Sequence, residues 1–276
     1  SRTVNNVVQS IVRNPDACMF LTAIRNKDTY SYSHAMASSI LASALGRQIG
    51  LPLQDIKSLA TGALLCDVGK LKISPRILSK SSPLSKEERG IIEEHVDQGI
   101  QILRDSSGVS TEVISMIESH HERQNGSGYP KSLAGNAIPP FARIIGIVDT
   151  YDAMISDRAY AQGISPADAI SKLYTMRDVD FQSELVEEFI QTIGIYPVGS
   201  LVELTDGRVG MVAAEHRRRR LRPKILIVLN SDKSYVEETI PINLLEETHD
   251  EMGRPLEILK GVDPSEYGFD PEDLCF

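Results

Sequence analysis

The chain has 276 residues, 41% of them apolar, which is enough for one large domain, or one domain with a small companion, and excludes global disorder. A formal net charge of −9 argues against nucleic-acid binding by the surface at large, while leaving room for a small anionic ligand in a local pocket. No apolar run is long enough to span a bilayer, and three widely spaced cysteines argue for a reducing, cytoplasmic setting rather than a disulfide framework.

The chain opens on Ser1 without a charged-then-apolar leader, as a piece cut from something longer would. Residues 1–27 hold two expected helices, "VNNVVQSIVRN" and "PDACMFLTAIRN", separated at Asn14-Pro15-Asp16. Next come the Ala-rich "SHAMASSILASALGRQIG", ending at Gly50, and "LQDIKSLATGALLCDVGK" after Pro52. "SKEERGIIEEHVDQGIQILRDS" reads as one helix opened by a capping box of Ser85 and Glu88. "STEVISMIESHHE", "PPFARIIGIVDTYDAMIS", "SPADAISKLYTM" and "SELVEEFIQTIG" complete a helical region to about residue 195. The composition then changes. "VGSLVELTDGRVGMVAAE" alternates about a hairpin turn at Asp206-Gly207, "PKILIVLN" reads as a third strand and "ETIPINLLEE" as a short fourth. The expected fold is therefore mainly α, with a small β appendage at roughly 198–245 inside a C-terminal region 196–276, and an irregular acidic tail beyond it. "HRRRRLRPK", His216 to Lys224, is a dense basic run, read either as a solvated hairpin loop or as a contact for an anion or an acidic partner.

The helical region gathers residues of ligand type: His34, His95, His120 and His121, with Glu122, Asp67, Lys70 and Asp149. A single histidine on a helix is usually a satisfied core or surface residue; here the set carries the signal. His120 and His121 are adjacent, which serves packing poorly and suits two imidazoles converging from one helix end. Asp67 and Asp149 each end an apolar run, "ATGALL" and "RIIGIV", and carboxylates at the edge of a core are paired or metal-bound. Imidazole with carboxylate is ligand chemistry for iron, manganese, zinc and nickel, and Asp67 has two oxygens with which to bridge two ions. "HHERQNGSGYP" continues from the histidine pair into a shaped loop: Gly126 and Gly128 permit positive φ, and Pro130 restricts Tyr129.

"SHAMASSI", "ALLCDVGK", "EEHVDQGIQIL", "HHERQNGSGYP" and "IVDTYDAMISDRAY" together resemble, in order and spacing over about residues 28–195, the HD-GYP domain of the HD phosphohydrolase superfamily. The resemblance implies a bacterial helical bundle that hydrolyses the second messenger cyclic di-GMP to pGpG or GMP at a site of two or three metal ions, most often iron or manganese, with zinc or nickel as alternatives. Matched residue by residue, it makes His34, Asp67, His95, His120, His121 and Asp149 ligands, with Asp67 bridging. Lys70 takes a phosphate oxygen or assists the leaving group, Arg158 contacts phosphate, and the loop of Gly128, Tyr129 and Pro130 lies beside the guanine-binding groove. Tyr30 stands where members with three metals have Glu, which implies two ions at most.

Cys66 is the departure, occupying the place of the family's HD histidine; Asn125, where Asp is usual, is a milder one. Three readings of Cys66 stand open: a small apolar substitute, a thiolate metal ligand, or the mark of a site reorganised around water. Two functions follow. One is a cyclic di-GMP phosphodiesterase with reduced or metal-selective activity. The other is a non-catalytic module that senses cyclic di-GMP or docks a signalling partner such as a diguanylate cyclase. A regulatory or homodimer-forming role for the β appendage is an open guess.

Overall fold

The computed structural model describes residues 30–104, 109–156, 163–216, 219 and 221–268. The two helices expected before residue 27, Arg158, and three of the arginines in the basic run lie outside the described residues. Helix formation is described from Tyr30. Helix α1 (Tyr30–Gln48) turns at Gly50, and α2 (Leu53–Leu65) starts after Pro52 and packs back along it. A 3-10 turn (Val68–Lys72) leads to the short α3 (Pro75–Leu78) and to α4 (Lys86–Glu93), whose capping box is formed as expected, with the Ser85 hydroxyl accepting from Glu88 N–H and the Glu88 carboxylate accepting from Ser85 N–H. The single helix expected from Ser85 to residue 106 is instead broken at Glu94, and α5 (His95–Arg104) begins there. At the break His95 Nδ1 donates to the Ile92 carbonyl at 2.7 Å, so the interruption sets the ring's orientation; no glycine or proline marks it in the sequence.

Helix α6 (Thr111–Ser119) is capped by Ser110, α7 (Pro140–Ile155) carries proline in its first turn, α8 (Pro166–Thr175) is capped by Ser165, and α9 (Ser183–Ile193) stops at Gly194 with φ +80°. Their apolar faces meet in one core that includes Leu41, Leu59, Met116, Ile145, Leu173 and Phe189. Helix α7 lies against α1, α2, α6, α8 and α9, which accounts for its nearly all-apolar sequence and brings Asp149 into the interior.

The β region is a five-stranded antiparallel sheet in the order β4-β3-β2-β1-β5, formed by β1 (Leu201–Leu204), β2 (Val209–Ala214), β3 (Lys224–Leu229), β4 (Tyr235–Asn243) and β5 (Ile258–Val262). The β1–β2 hairpin turns where expected. Strand β5 corrects the expectation of an irregular tail: Leu201 pairs with Val262, and β5 forms the edge beside α8. Only its last residue is buried, so "ILKGV" shows no alternation that a sequence pattern could reveal. The inner strands bury side chains on both faces, with Leu201, Val209 and Met211 on one and Val202, Val212 and Ile225 on the other.

Phe189 is fully buried and meets Tyr151 edge-to-face at 5.2 Å. Phe189→Ala is expected to lower unfolding free energy by about 3–5 kcal/mol, read by urea titration. A loss below about 1 kcal/mol would show that α9 is not integral to the helical core.

Candidate metal centre

Five elements deliver the polar cluster. Helix α2 ends at Leu65, Cys66 continues in right-handed geometry, and Asp67 is turned out at the head of the 3-10 turn. That turn lies against the start of α5: a side chain at Gly69 would bring its Cβ 1.8 Å from the His95 carbonyl oxygen and 2.5 Å from Gly99 N, so the absence of a side chain lets Asp67 and His95 approach. His34 projects from α1, Asp149 from α7, and His120 and His121 follow the last turn of α6.

The donor atoms form two groups that share Asp67: Asp67 with His95, His120 and His121, and Asp67 with His34 and Asp149, each group spanning no more than 4.8 Å. His95 Nε2 faces Asp67 Oδ1 at 3.4 Å, and His34 Nε2 lies 3.1 Å from Asp149 Oδ1 and 3.4 Å from Asp67 Oδ2. His95 and His120 each donate from Nδ1 to the carbonyl three residues back, on Ile92 and Ile117, both at 2.7 Å. Their Nε2 lone pairs therefore face the centre. Those two Nε2 atoms and Asp67 Oδ1 are buried and lack a hydrogen-bond partner, an expensive arrangement that a divalent cation would satisfy. The residues present fit a metal.

Lys70 meets Asp67 Oδ2 at 2.5 Å from the more exposed side. Cys66 does not join either group. It is 1% exposed in the apolar core, and its thiol donates to the Ala63 carbonyl at 3.2 Å. Glu122, grouped with the histidines in the sequence, serves the loop instead: its two carboxylate oxygens accept from Lys131 N–H and Leu133 N–H at 2.8 and 2.9 Å. Gly126 adopts positive φ as expected, whereas Gly128 does not. Gly128 is needed for close approach, because a Cβ there would lie 2.4 Å from the His121 carbonyl oxygen. The loop thus folds back on residues 121–123, and Tyr129 stacks on His121 with ring centroids 4.6 Å apart, next to Pro130 across a cis peptide. Asp152 went unselected in the sequence. It is fully buried, and its Oδ2 accepts from His34 Nδ1 at 2.5 Å. Its signal was its position one turn after Asp149 on an apolar helix.

The electrostatics separate the two groups. Burial is the largest influence on His95, His120 and His121 and holds all three below the usual imidazole range, His95 at about 4, so they are neutral lone-pair donors at neutral pH. Burial alone would also lower His34, but Asp149, Asp152 and Asp67 together raise it well above that range. Burial opposes ionisation of Asp67, and Lys70, then His34, overcome it and hold its carboxyl well below the carboxylate range. Burial pushes the Cys66 thiol up, reinforced by Asp67 and Asp149.

The family model described as "HD domain" matches residues 19–185, and a "KOW domain associated with HD domain" matches residues 201–266. A cyclic di-GMP phosphodiesterase of Pseudomonas aeruginosa is 35% identical over 231 residues, covering 84% of this chain and 56% of that protein. A cyclic di-GMP phosphodiesterase response regulator of Xanthomonas campestris is 31% identical over 170 residues, covering 61% of this chain and 45% of that protein. The chain thus spans about half the length of these curated relatives. The solved structure of an HDG"Y"P protein from Bdellovibrio bacteriovorus aligns with a TM-score of 0.58 at 24% identity, over 67% of this chain and 60% of that one, a likeness of fold. No helix among the described residues is long and apolar enough to cross a membrane.

The depressed imidazoles set a pH dependence for metal-free protein. The unfolded chain protonates His95 below its ordinary 6.5, whereas the folded protein resists down to about 4. Proton uptake therefore favours unfolding as pH falls through that window, and stability is full above it. His34, raised, acts above 6.5, where stability falls as its ring loses the proton; below 6.5 it is charged in both states and leaves the slope to the three lowered imidazoles. Urea titration in chelator should show stability falling between about pH 6.5 and 4, with up to roughly 3 kcal/mol from His95 alone. His95→Gln should flatten the slope; a stability that rises on acidification would contradict the assignment.

Proposed function

Because the chain belongs to the HD domain family, we propose that it is a metal-dependent phosphodiesterase that hydrolyses cyclic di-GMP to pGpG or GMP. The observation that carries this reading is Asp67: one partly buried carboxylate shared by two ligand groups, its enclosed Oδ1 facing His95 Nε2 and, like it and His120 Nε2, without a hydrogen-bond partner. The relatives named as cyclic di-GMP phosphodiesterases support the substrate. The proposed ligands are His95, His120 and His121 on one side and His34 and Asp149 on the other, with Asp67 between them, for two divalent ions at most, iron or manganese before zinc or nickel. Residues 28–195 are proposed as the catalytic domain and 196–276 as its appendage, in a reducing, cytoplasmic setting.

Divalent ions bound there would supply Lewis acidity toward a phosphodiester oxygen and lower the pKa of water. The chain's own residues supply the rest. Lys70, with its side chain 28% exposed, presents an ammonium beside Asp67 to an arriving phosphodiester, and offsets charge that develops on the departing oxygen. Asp67 remains ionised and acceptor-only because Lys70 and His34 flank it. Tyr129, stacked on His121, walls the side from which the loop approaches, and Glu122 fixes the loop's backbone. Arg158 is proposed as a further phosphate contact.

Asp67→Asn and His120→Ala should each lower bound metal per chain and cut hydrolysis of cyclic di-GMP with manganese or iron by about 100-fold or more, equivalent to ~2.7 kcal/mol of barrier. Metal content and turnover measured on the same samples decide it: unchanged metal in both variants removes the assignment.

Cys66 favours a second reading, a module that binds cyclic di-GMP and turns it over at background. With its sulfur against the Ala63 carbonyl, we take Cys66 as an apolar filler. Cys66→Ala should then keep activity within about twofold, and Cys66→His should raise metal occupancy and turnover about tenfold. Loss of activity in Cys66→Ala would make the thiol a working ligand; background rates in all three proteins, with binding retained, would favour the sensor.

A further inference from the structure

The histidines of the centre are oriented by two kinds of partner. His95 and His120 place Nδ1–H on main-chain carbonyls, Ile92 and Ile117, at 2.7 Å. His34 places its Nδ1 on a side-chain carboxylate, Asp152 Oδ2, at 2.5 Å. Asp152 has no exposed surface, and it belongs to neither ligand group because the His34 ring stands between it and the donor atoms. It sits one turn after Asp149 on α7, so one helix carries both a proposed ligand and the support of another. Ser156, a further turn on, has its hydroxyl 3.5 Å from the same Oδ2 and donates to the Asp152 carbonyl. A buried carboxylate is costly unless it is paired, and the His34 ring gives Asp152 such a partner.

We propose that Asp152 is a positioning residue that holds the neutral, metal-binding form of His34 in the tautomer with hydrogen on Nδ1, aims its Nε2 lone pair at the space between Asp67 and Asp149, and by its charge raises the ring's donor strength. The inference rests on the reading that the two groups hold metal, and it goes beyond that reading in making the halves unequal. In the half containing His95, His120 and His121, neutral main-chain carbonyls fix His95 and His120, and His121 stacks on Tyr129. The half containing His34 depends on a buried negative charge, and with His34, Asp67 and Asp149 as its donors among the described residues, one fewer than the other half, it needs that charge more. Loss of the Asp152 charge should therefore act on one ion and spare the other.

The test is titration of metal-stripped protein with Mn2+, followed calorimetrically, for wild type, Asp152→Asn and, as opposite controls, His34→Ala and His120→Ala. Asp152→Asn keeps the shape and an acceptor oxygen while removing the charge. It should weaken one binding event about 10–100-fold and leave the other unchanged, in the pattern of His34→Ala and not of His120→Ala. Two wild-type events that both survive Asp152→Asn unaltered overturn the role of Asp152 and leave the metal centre standing. Absence of binding by wild type overturns both. A second measurement needs no variant at Asp152: in 15N-histidine spectra of the Zn2+-loaded protein, with His34 assigned by its absence in His34→Asn, His34 should carry its hydrogen on Nδ1. Hydrogen on Nε2 overturns the proposal even if Asp152→Asn fails to fold.

Discussion

A carboxylate withdrawn from water must be compensated, and the helical region is arranged around meeting that requirement at Asp67. The residue emerges where α2 gives way to the 3-10 turn, at the one point where α1, α5, α6 and α7 can all reach it. Among the described residues, Lys70 brings a full positive charge from the outside, and His34 brings another when doubly protonated. The remaining oxygen looks toward His95, which burial keeps neutral and which cannot neutralise it. A cluster so built is incomplete as an ion-pair network and fits a cation, a distinction made by the direction of the lone pairs more than by the count of charges.

The same logic explains what could be read in advance. The mainly helical fold with a C-terminal sheet was legible because apolar periodicity and caps such as Ser85 with Glu88 are local signals. Asp67 and Asp149 were legible as carboxylates ending apolar runs and His120 with His121 as an adjacent pair, whereas His34 and His95 were joined to them by the family resemblance. The break at Glu94 was not legible, because it depends on where the His95 ring must point. Strand β5 was hidden because an edge strand with most of its side chains in solvent has no alternation. Asp152 was missed because support of a ring nitrogen is visible only when the ring's orientation is known. Cys66 left three readings, and the direction of its sulfur, which separates them, is a property of packing in the α2 terminus.

The loop after His121 shows how a short segment can be held without secondary structure. Glu122 takes two backbone N–H groups, Asn125 takes Ser127 N–H, and Tyr129 N–H returns to the His121 carbonyl, so several backbone hydrogen bonds close within the segment, while Gln124 N–H ties it to the Asp180 carbonyl. The loop and the histidine pair are consequently one unit: a shift in the loop displaces the ring on which Tyr129 rests.

Gly69 bears on how the centre behaves under change elsewhere. The 3-10 turn and the start of α5 touch through main chain, with no side chain interposed. The separation between Asp67 and His95 is thus gauged by peptide groups, whose dimensions are the same in every protein, and not by the volumes of core residues. Such a contact works as a mechanical stop. Core side chains can be exchanged, and the helices can breathe with temperature, while the spacing across the shared carboxylate is reset each time the two backbones close on one another.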